Sequence, residues 1–458
     1  MLVKVSIENF KSFDRVTELT MISSNKIRTN ADHRLKIKST QLLKYGVVYG
    51  ANAAGKTNLV EFFRFFKECI SKGIPMEAAG MFCKNREENK ERESSFEVQI
   101  TVGDKFYAYG FSAILSKRKI TSEWLYELYQ NGSARCLFER EGNKRPILDS
   151  TITLSNTEKN KFEIYADDFE GNESSLFLTE MNRGKKYTVR SKLLFFKEVY
   201  DWIVTHIAVI TPNTPLIDLE YYYDTDSLKL INKLIETFDT GISKVKIEEI
   251  SLDELSNAMP KPVFDKVMRH VKSRIEEQEN PSFRMTMRSN ESFFNIEVQG
   301  HEEPKVTTIR LNHLKSFYDF GFEEESDGTR RLFDLMDMLL NKREDMLYVV
   351  DELERSLHPK LTERFLQLFM QLHSEERMQL LFTTHESSIM DQSIFRRDEI
   401  WFIERNAENA SEIYSLDRFK ERYDKVLSKA YLEGRYGAIP VFSTFEFREQ
   451  CQLVKLKG

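Results

Sequence analysis

The sequence predicts an α/β fold: a mixed central sheet carrying a phosphate-binding loop, an antiparallel sheet beside it, and an inserted, mostly helical arm. Three observations carry that prediction. An apolar run, Tyr45–Tyr49, leads into a glycine-containing loop and then into a helix with Leu59, Phe62, Phe63, Phe66 and Ile70 at helical spacing. A second apolar run, Met346–Val350, ends in two adjacent acids, Asp351 and Glu352. A third, Gln379–Thr384, ends at His385. The C-terminal ends of central strands are where open α/β sheets bind their ligands.

The loop is the most specific of these signals. Gly50, Gly55, Lys56 and Thr57 fit the pattern G-x-x-x-x-G-K-[ST]. The glycines let backbone N–H groups curl around phosphate oxygens. The positive end of the following helix faces the same anion. Lys56 supplies a point charge for β- and γ-phosphates, and the Thr57 hydroxyl suits Mg²⁺. Gly50, Asn52, Gly55, Lys56, Thr57 and Asn58 are therefore the nucleotide-binding candidates. Two solvated acids at a strand end would be unremarkable alone. Beside a phosphate loop they have a cation to meet, so Asp351 is expected to hold Mg²⁺ through water and Glu352 to polarise the attacking water. His385 is placed to contact the γ-phosphate, against the plainer alternative of a structural strand cap. The expected ligands are ATP and Mg²⁺.

Whole-chain numbers bound the rest. At 458 residues the chain is too long for one ordinary core, so two domains or a large insertion are expected. Hydrophobic content of 41% and charged content of 31% are those of a globular protein. A net charge of −6 gives no global basic excess advertising nucleic acid, though a local patch and DNA binding remain open. The N-terminus alternates and carries charge early, unlike a signal peptide. No apolar stretch is long enough for a membrane span. The cysteines are scattered, without a C-x-x-C pair, which suits reduced thiols in a cytoplasmic protein.

In chain order, residues 1–20 read as two strands joined by Asn9-Phe10-Lys11-Ser12-Phe13, and residues 23–43 as a mobile polar connection. The charged run from Lys84 to Ser95 reads as solvated. Alternation from Phe96 through Arg140, with a turn at Gly103-Asp104, reads as an antiparallel sheet. Residues 151–304 carry no nameable chemistry. Leu193–Val204, Leu228–Phe238 and Pro262–Glu279 have helical periodicity, with Pro212, Pro215, Pro260, Pro262 and Pro281 as punctuation. Such an arm could hold a partner, DNA or another copy, or be a packed lid. Three segments follow: 1–150 with the loop, 151–304 the insertion, and 305–458 with the second half of the site. That last half includes a polar turn, Ser326-Asp327-Gly328-Thr329, opening a helix, a helix over 359–373, strands Ile400–Glu404 and Glu412–Leu416, and a last segment, Tyr431–Pro440, before a charged tail.

The order of these motifs resembles ABC/SMC-type ATPase heads, at the chain's two ends. The chain looks like the overcoming-lysogenization-defect-like and RloA-like AAA-family ATPases of bacterial anti-phage systems. The Lys429–Pro440 stretch is similar to a C-terminal signature of the RloA-like group. Size and layout are similar to the ATPase subunit of the PARIS defence system. The resemblance implies a homo-oligomer, at least a dimer of two heads sandwiching two ATP molecules. Each ATP would meet the phosphate loop of one copy and the signature turn, Ser326 and Gly328, of the other. Asp327 and Thr329 depart from the usual Ser-Gly-Gly-Gln and imply slow turnover. Ser356 takes the place of the D-loop serine; Gln99 is a weak candidate for the Q-loop. Too few residues follow His385 for the nuclease domain of the lysogenization family, so a separate effector, a nuclease, is expected. The implied function is a sensor or scaffold in phage defence. A RecF-like DNA-repair ATPase binding DNA directly is the alternative, and a transporter ATPase the remote third.

Overall fold

The computed structural model describes residues 1–211, 225–277, 279–288, 293–341, 343–419 and 426–439. Pro212, Pro215, Pro440 and the charged tail lie outside them. Apolar β-branched and aromatic runs set the central sheet. Its strand order is Ile207–Ile210, Leu347–Val350, Gln379–Thr384, Tyr45–Tyr49, Ile400–Arg405 and Ser411–Ser415. All neighbours are parallel except the last pair. The phosphate-loop strand thus sits between two strands from the far end of the chain.

Both faces of this sheet are buried, which is why its strands are continuously apolar. Alternate residues serve opposite cores. Val48, Leu347, Val349, Leu381 and Trp401 join one core. Val47, Tyr49, Tyr348, Val350, Phe382 and Phe402 join the other. The first core is closed by the helix Lys56–Lys72 and a seven-stranded antiparallel sheet. That sheet runs Ile147–Leu148, Ala134–Glu141, Lys119–Leu128, Lys105–Ile114, Ser94–Val102, Leu2–Glu8 and Thr17–Thr20. Phe62, Phe66, Phe96 and Phe111 interlock here, with ring centroids 5.2–6.1 Å apart. The second core is closed by the helices Asp327–Leu340 and Pro359–Leu372.

Within 151–304, the expected helices occur as Leu194–Thr205, Thr225–Glu236 and Lys261–Glu276. Strands accompany them. Ile207–Ile210 forms one edge of the central sheet. Ile242–Ile250, Ser282–Arg288 and Phe293–Gln299 build a further antiparallel sheet with Lys305–His313, to which Phe320–Gly321 is added. This sheet and the helix Lys261–Glu276 share a small core of their own around Val271, Ile296 and Val306. The helix Leu194–Thr205 instead packs into the first core through Phe196, Val199 and Trp202.

Residues 23–43 correct the expectation of a mobile connection. Arg34–Ile37 and Thr40–Leu43 pair as a hairpin, with Ile27, Ile37, Leu42 and Leu43 buried. The His33 ring of this stretch is held 3.0 Å from the buried Glu399 carboxylate.

Candidate functional site

The strand Tyr45–Tyr49 ends at Gly50, and the chain turns through 51–55 into the helix Lys56–Lys72. Gly55 caps that helix at φ +118°, a region side chains rarely enter. A Cβ there would also lie 2.3 Å from Ser411 Oγ and 2.7 Å from Ser12 Oγ. Ser12, Ser411 and Asn58 form a polar floor under the loop. Asn58 Nδ2 donates to Ser12 Oγ at 2.7 Å, Ser12 and Ser411 hydroxyls are 2.7 Å apart, and Ser411 Oγ reaches the Ala54 carbonyl.

Lys56 is largely buried, and its ammonium donates to the Gly50 and Ala51 carbonyls at 2.7 and 3.0 Å. Burial lowers its pKa to about 8, although Asp351, Glu354 and Glu352 oppose the shift. His385 Nδ1 lies 3.4 Å from Lys56 Nζ, and its Nε2 lies 3.9 Å from Glu352 Oε1. Burial and then the Lys56 charge push the His385 pKa down. The neutral ring is thereby favoured beside the ammonium.

Asn52, Gly55, Lys56, Thr57, Asn58, Glu352 and His385 line one cavity of about 360 Å³. Parallel strands deliver this convergence, since Val350 and Phe382 are in register and Thr384 aligns with Tyr49. Asp351 is buried just behind. Its Oδ1 accepts from Thr383 Oγ at 2.6 Å, and Thr383 Oγ in turn accepts from the Glu352 N–H at 2.9 Å. Glu352 has φ +50°, a strained value for a non-glycine residue of the kind that gathers at functional sites. Among the described residues no three metal-ligating side chains cluster. Mg²⁺ does not need such a cluster: it takes one or two protein oxygens and fills its octahedron with phosphate and water. The exposed Thr57 hydroxyl and the Asp351 carboxylate fit that donor set.

A family model described as "AAA domain, putative AbiEii toxin, Type IV TA system" matches residues 47–391. The chain belongs to this AAA-domain family. Two solved structures are similar at low identity. The SMC head domain from Thermotoga maritima is 13% identical with a TM-score of 0.37, over 90% of this chain and 98% of that one. An SMC head bound to the C-terminal winged-helix domain of ScpA is 11% identical with a TM-score of 0.37, over 90% and 97%. No curated protein matches. No helix of the described residues is long and apolar enough to cross a membrane.

The signature-like turn of this AAA-domain chain stands outside the cavity. Ser326 caps the helix Asp327–Leu340 by accepting from the Thr329 N–H at 3.1 Å. Gly328 lies against the Ser356 carbonyl, where a Cβ would come within 2.6 Å. Arg330 pairs with Asp327 at 2.6 Å, and Arg331 reaches the Glu352 carbonyl at 3.4 Å. Gln99 sits within the strand Ser94–Val102 and donates to Glu97, away from the cavity lining.

Sequence reasoning missed several residues. Arg405 also lines the cavity and donates to the Ala53 carbonyl at 3.0 Å. Its signal was available, as the last residue of an apolar strand. Thr383 lay one residue before the end of such a strand. Ser12 lay in a noted motif. Ser411 had no local signal, since only the antiparallel turn-back of its strand brings it under the loop.

Proposed function

We propose that the chain binds and hydrolyses MgATP and uses the bound nucleotide to join two heads, so controlling a separate effector subunit. The convergence of Lys56, Thr57, Glu352 and His385 in one cavity carries this reading. Lys56 and the helix N-terminus receive the phosphates. Thr57 and Asp351 are the residues that would hold Mg²⁺, which when bound would neutralise charge on the triphosphate. Glu352 accepts a proton from the attacking water, and His385 orients that water or the terminal phosphate. Ser326, exposed beyond the cavity, and the half-buried Gly328 are assigned to the nucleotide on the opposing head.

The family description, which names a putative AbiEii toxin and a Type IV TA system, agrees with a defence role. The RloA-like and PARIS-type resemblance points to a nuclease as that effector. The test is affinity purification of Glu352→Gln from its host with ATP and Mg²⁺, followed by mass spectrometry and nucleic-acid analysis. A stoichiometric protein partner is expected. DNA without a protein partner would replace this reading with the RecF-like one.

A further inference from the structure

Between the strands Lys305–His313 and Phe320–Gly321 the chain makes a tip whose apolar side chains cover nothing. Phe317 is 98% exposed, Tyr318 85% and Leu314 71%. Large neighbouring apolar groups left in water mark a contact surface. The base of the tip is fixed. Leu314 N–H donates to the Gly241 carbonyl at 2.9 Å, Ser316 N–H to His313 O at 2.9 Å, and Asp319 pairs with Lys246 at 2.7 Å. The tip is also tied to the signature turn: the His313 ring lies 2.5 Å from the carboxylate of Glu325, the residue before Ser326. Wherever Ser326 docks, the tip docks beside it.

The nucleotide cavity has a matching deficiency. Among the described residues its lining holds no Phe, Tyr or Trp. Cofactor sites ordinarily bury the apolar part of their ligand against such groups. The phosphates have a cradle, but among the described residues that line it none offers the base a Phe, Tyr or Trp platform.

We infer that Phe317 and Tyr318 complete the site in trans, stacking on the adenine of ATP held by the phosphate loop of a second copy. This deepens the head-to-head reading and rests on it. Adenine offers a π-face to either ring, and such stacking is sensitive to truncation of the ring.

The experiment uses full-length Glu352→Gln with 8-azido-ATP and Mg²⁺, photolysed at chain concentrations spanning assembly, which is followed by sedimentation. Label is expected on the phosphate-loop peptide throughout. On the tryptic peptide Ser316–Arg330 it is expected only once copies associate. The double variant Phe317→Ser/Tyr318→Ser, in the same background, should bind ATP normally when dilute and need roughly ten-fold more chain to assemble. Assembly without label on Ser316–Arg330, label there in the dilute chain, or unchanged assembly of the double variant would each overturn the inference while leaving the ATPase reading in place. ATP binding without any assembly would remove the head-to-head reading, and this inference with it.

Discussion

Thr383→Val is the most discriminating perturbation of the site. The Thr383 side chain is buried between two neighbouring strands, and its hydroxyl makes two bonds at once. It donates to the Asp351 carboxylate at 2.6 Å and accepts the Glu352 N–H at 2.9 Å. Valine keeps the shape and removes both. A lost bond to a charged acceptor and an orphaned, partly buried N–H together cost about 2–4 kcal/mol. For a chain of 458 residues the unfolding entropy corresponds to roughly 1 kcal/mol per degree. The melting temperature should therefore fall by about 2–4 °C. Function should respond more sharply. With Asp351 unpinned, metal-dependent nucleotide affinity should drop about 10–100-fold, the usual effect of removing a partner that orients a metal ligand. Calorimetric titration of ATP in Mg²⁺ and in EDTA separates the effects, because phosphate capture by Lys56 needs no metal. A variant with unchanged melting and an undiminished response to Mg²⁺ would refute the assignment of Asp351.

Other predictions follow from the same geometry. Lys56→Ala should abolish tight ATP binding, measured by equilibrium dialysis at neutral pH. Glu352→Gln should bind ATP with near-native affinity yet lose at least about 100-fold in hydrolysis, read as phosphate release; turnover at the wild-type rate would remove its role as base. The Lys56 ammonium, with its pKa lowered to about 8, loses its proton within an accessible range. Its charged form binds phosphate, so ATP affinity should fall as pH rises from 7 to 9. Binding near pH 8 should then take up protons, seen as a calorimetric heat that changes with buffer ionisation enthalpy. Gly55→Ala should be worse for folding than an ordinary loop substitution, since φ of +118° and two serine hydroxyls both oppose a Cβ. Its yield of soluble protein and its melting temperature test that.

The nucleotide side of the fold was legible because each strand carries its own signal. Tyr45–Tyr49, Leu347–Val350 and Gln379–Thr384 are short, apolar and end in chemistry, and the structure sets them side by side. The antiparallel sheet was legible from alternation between Phe96 and Arg140. Ile207–Ile210 was not, because four apolar residues directly after a helix read equally well as its continuation. The sheet around Ile296 was hidden by charged outward faces, Glu248 with Arg310 and Arg284 with Glu297, which dilute the apolar pattern. Residues 23–43 looked mobile since their polarity is satisfied at long range, by groups such as Glu399 that sequence distance conceals. The floor under the loop was illegible for the same reason: Ser12 and Ser411 meet only after the whole sheet has formed.

The strand order also governs when during synthesis this protein acquires its activity. The loop at 50–57 emerges from the ribosome early, but both strands flanking Tyr45–Tyr49 are encoded beyond residue 378. Until they arrive, the loop lacks its flanking strands and His385, and Val47, Val48 and Tyr49 lack their sheet neighbours. Closing contacts of such sequence separation makes folding slow and leaves the nascent half dependent on chaperones. A chain ended before residue 379 is thus expected not to form the cavity. The complete cavity is assembled late, once the C-terminal strands have joined the sheet.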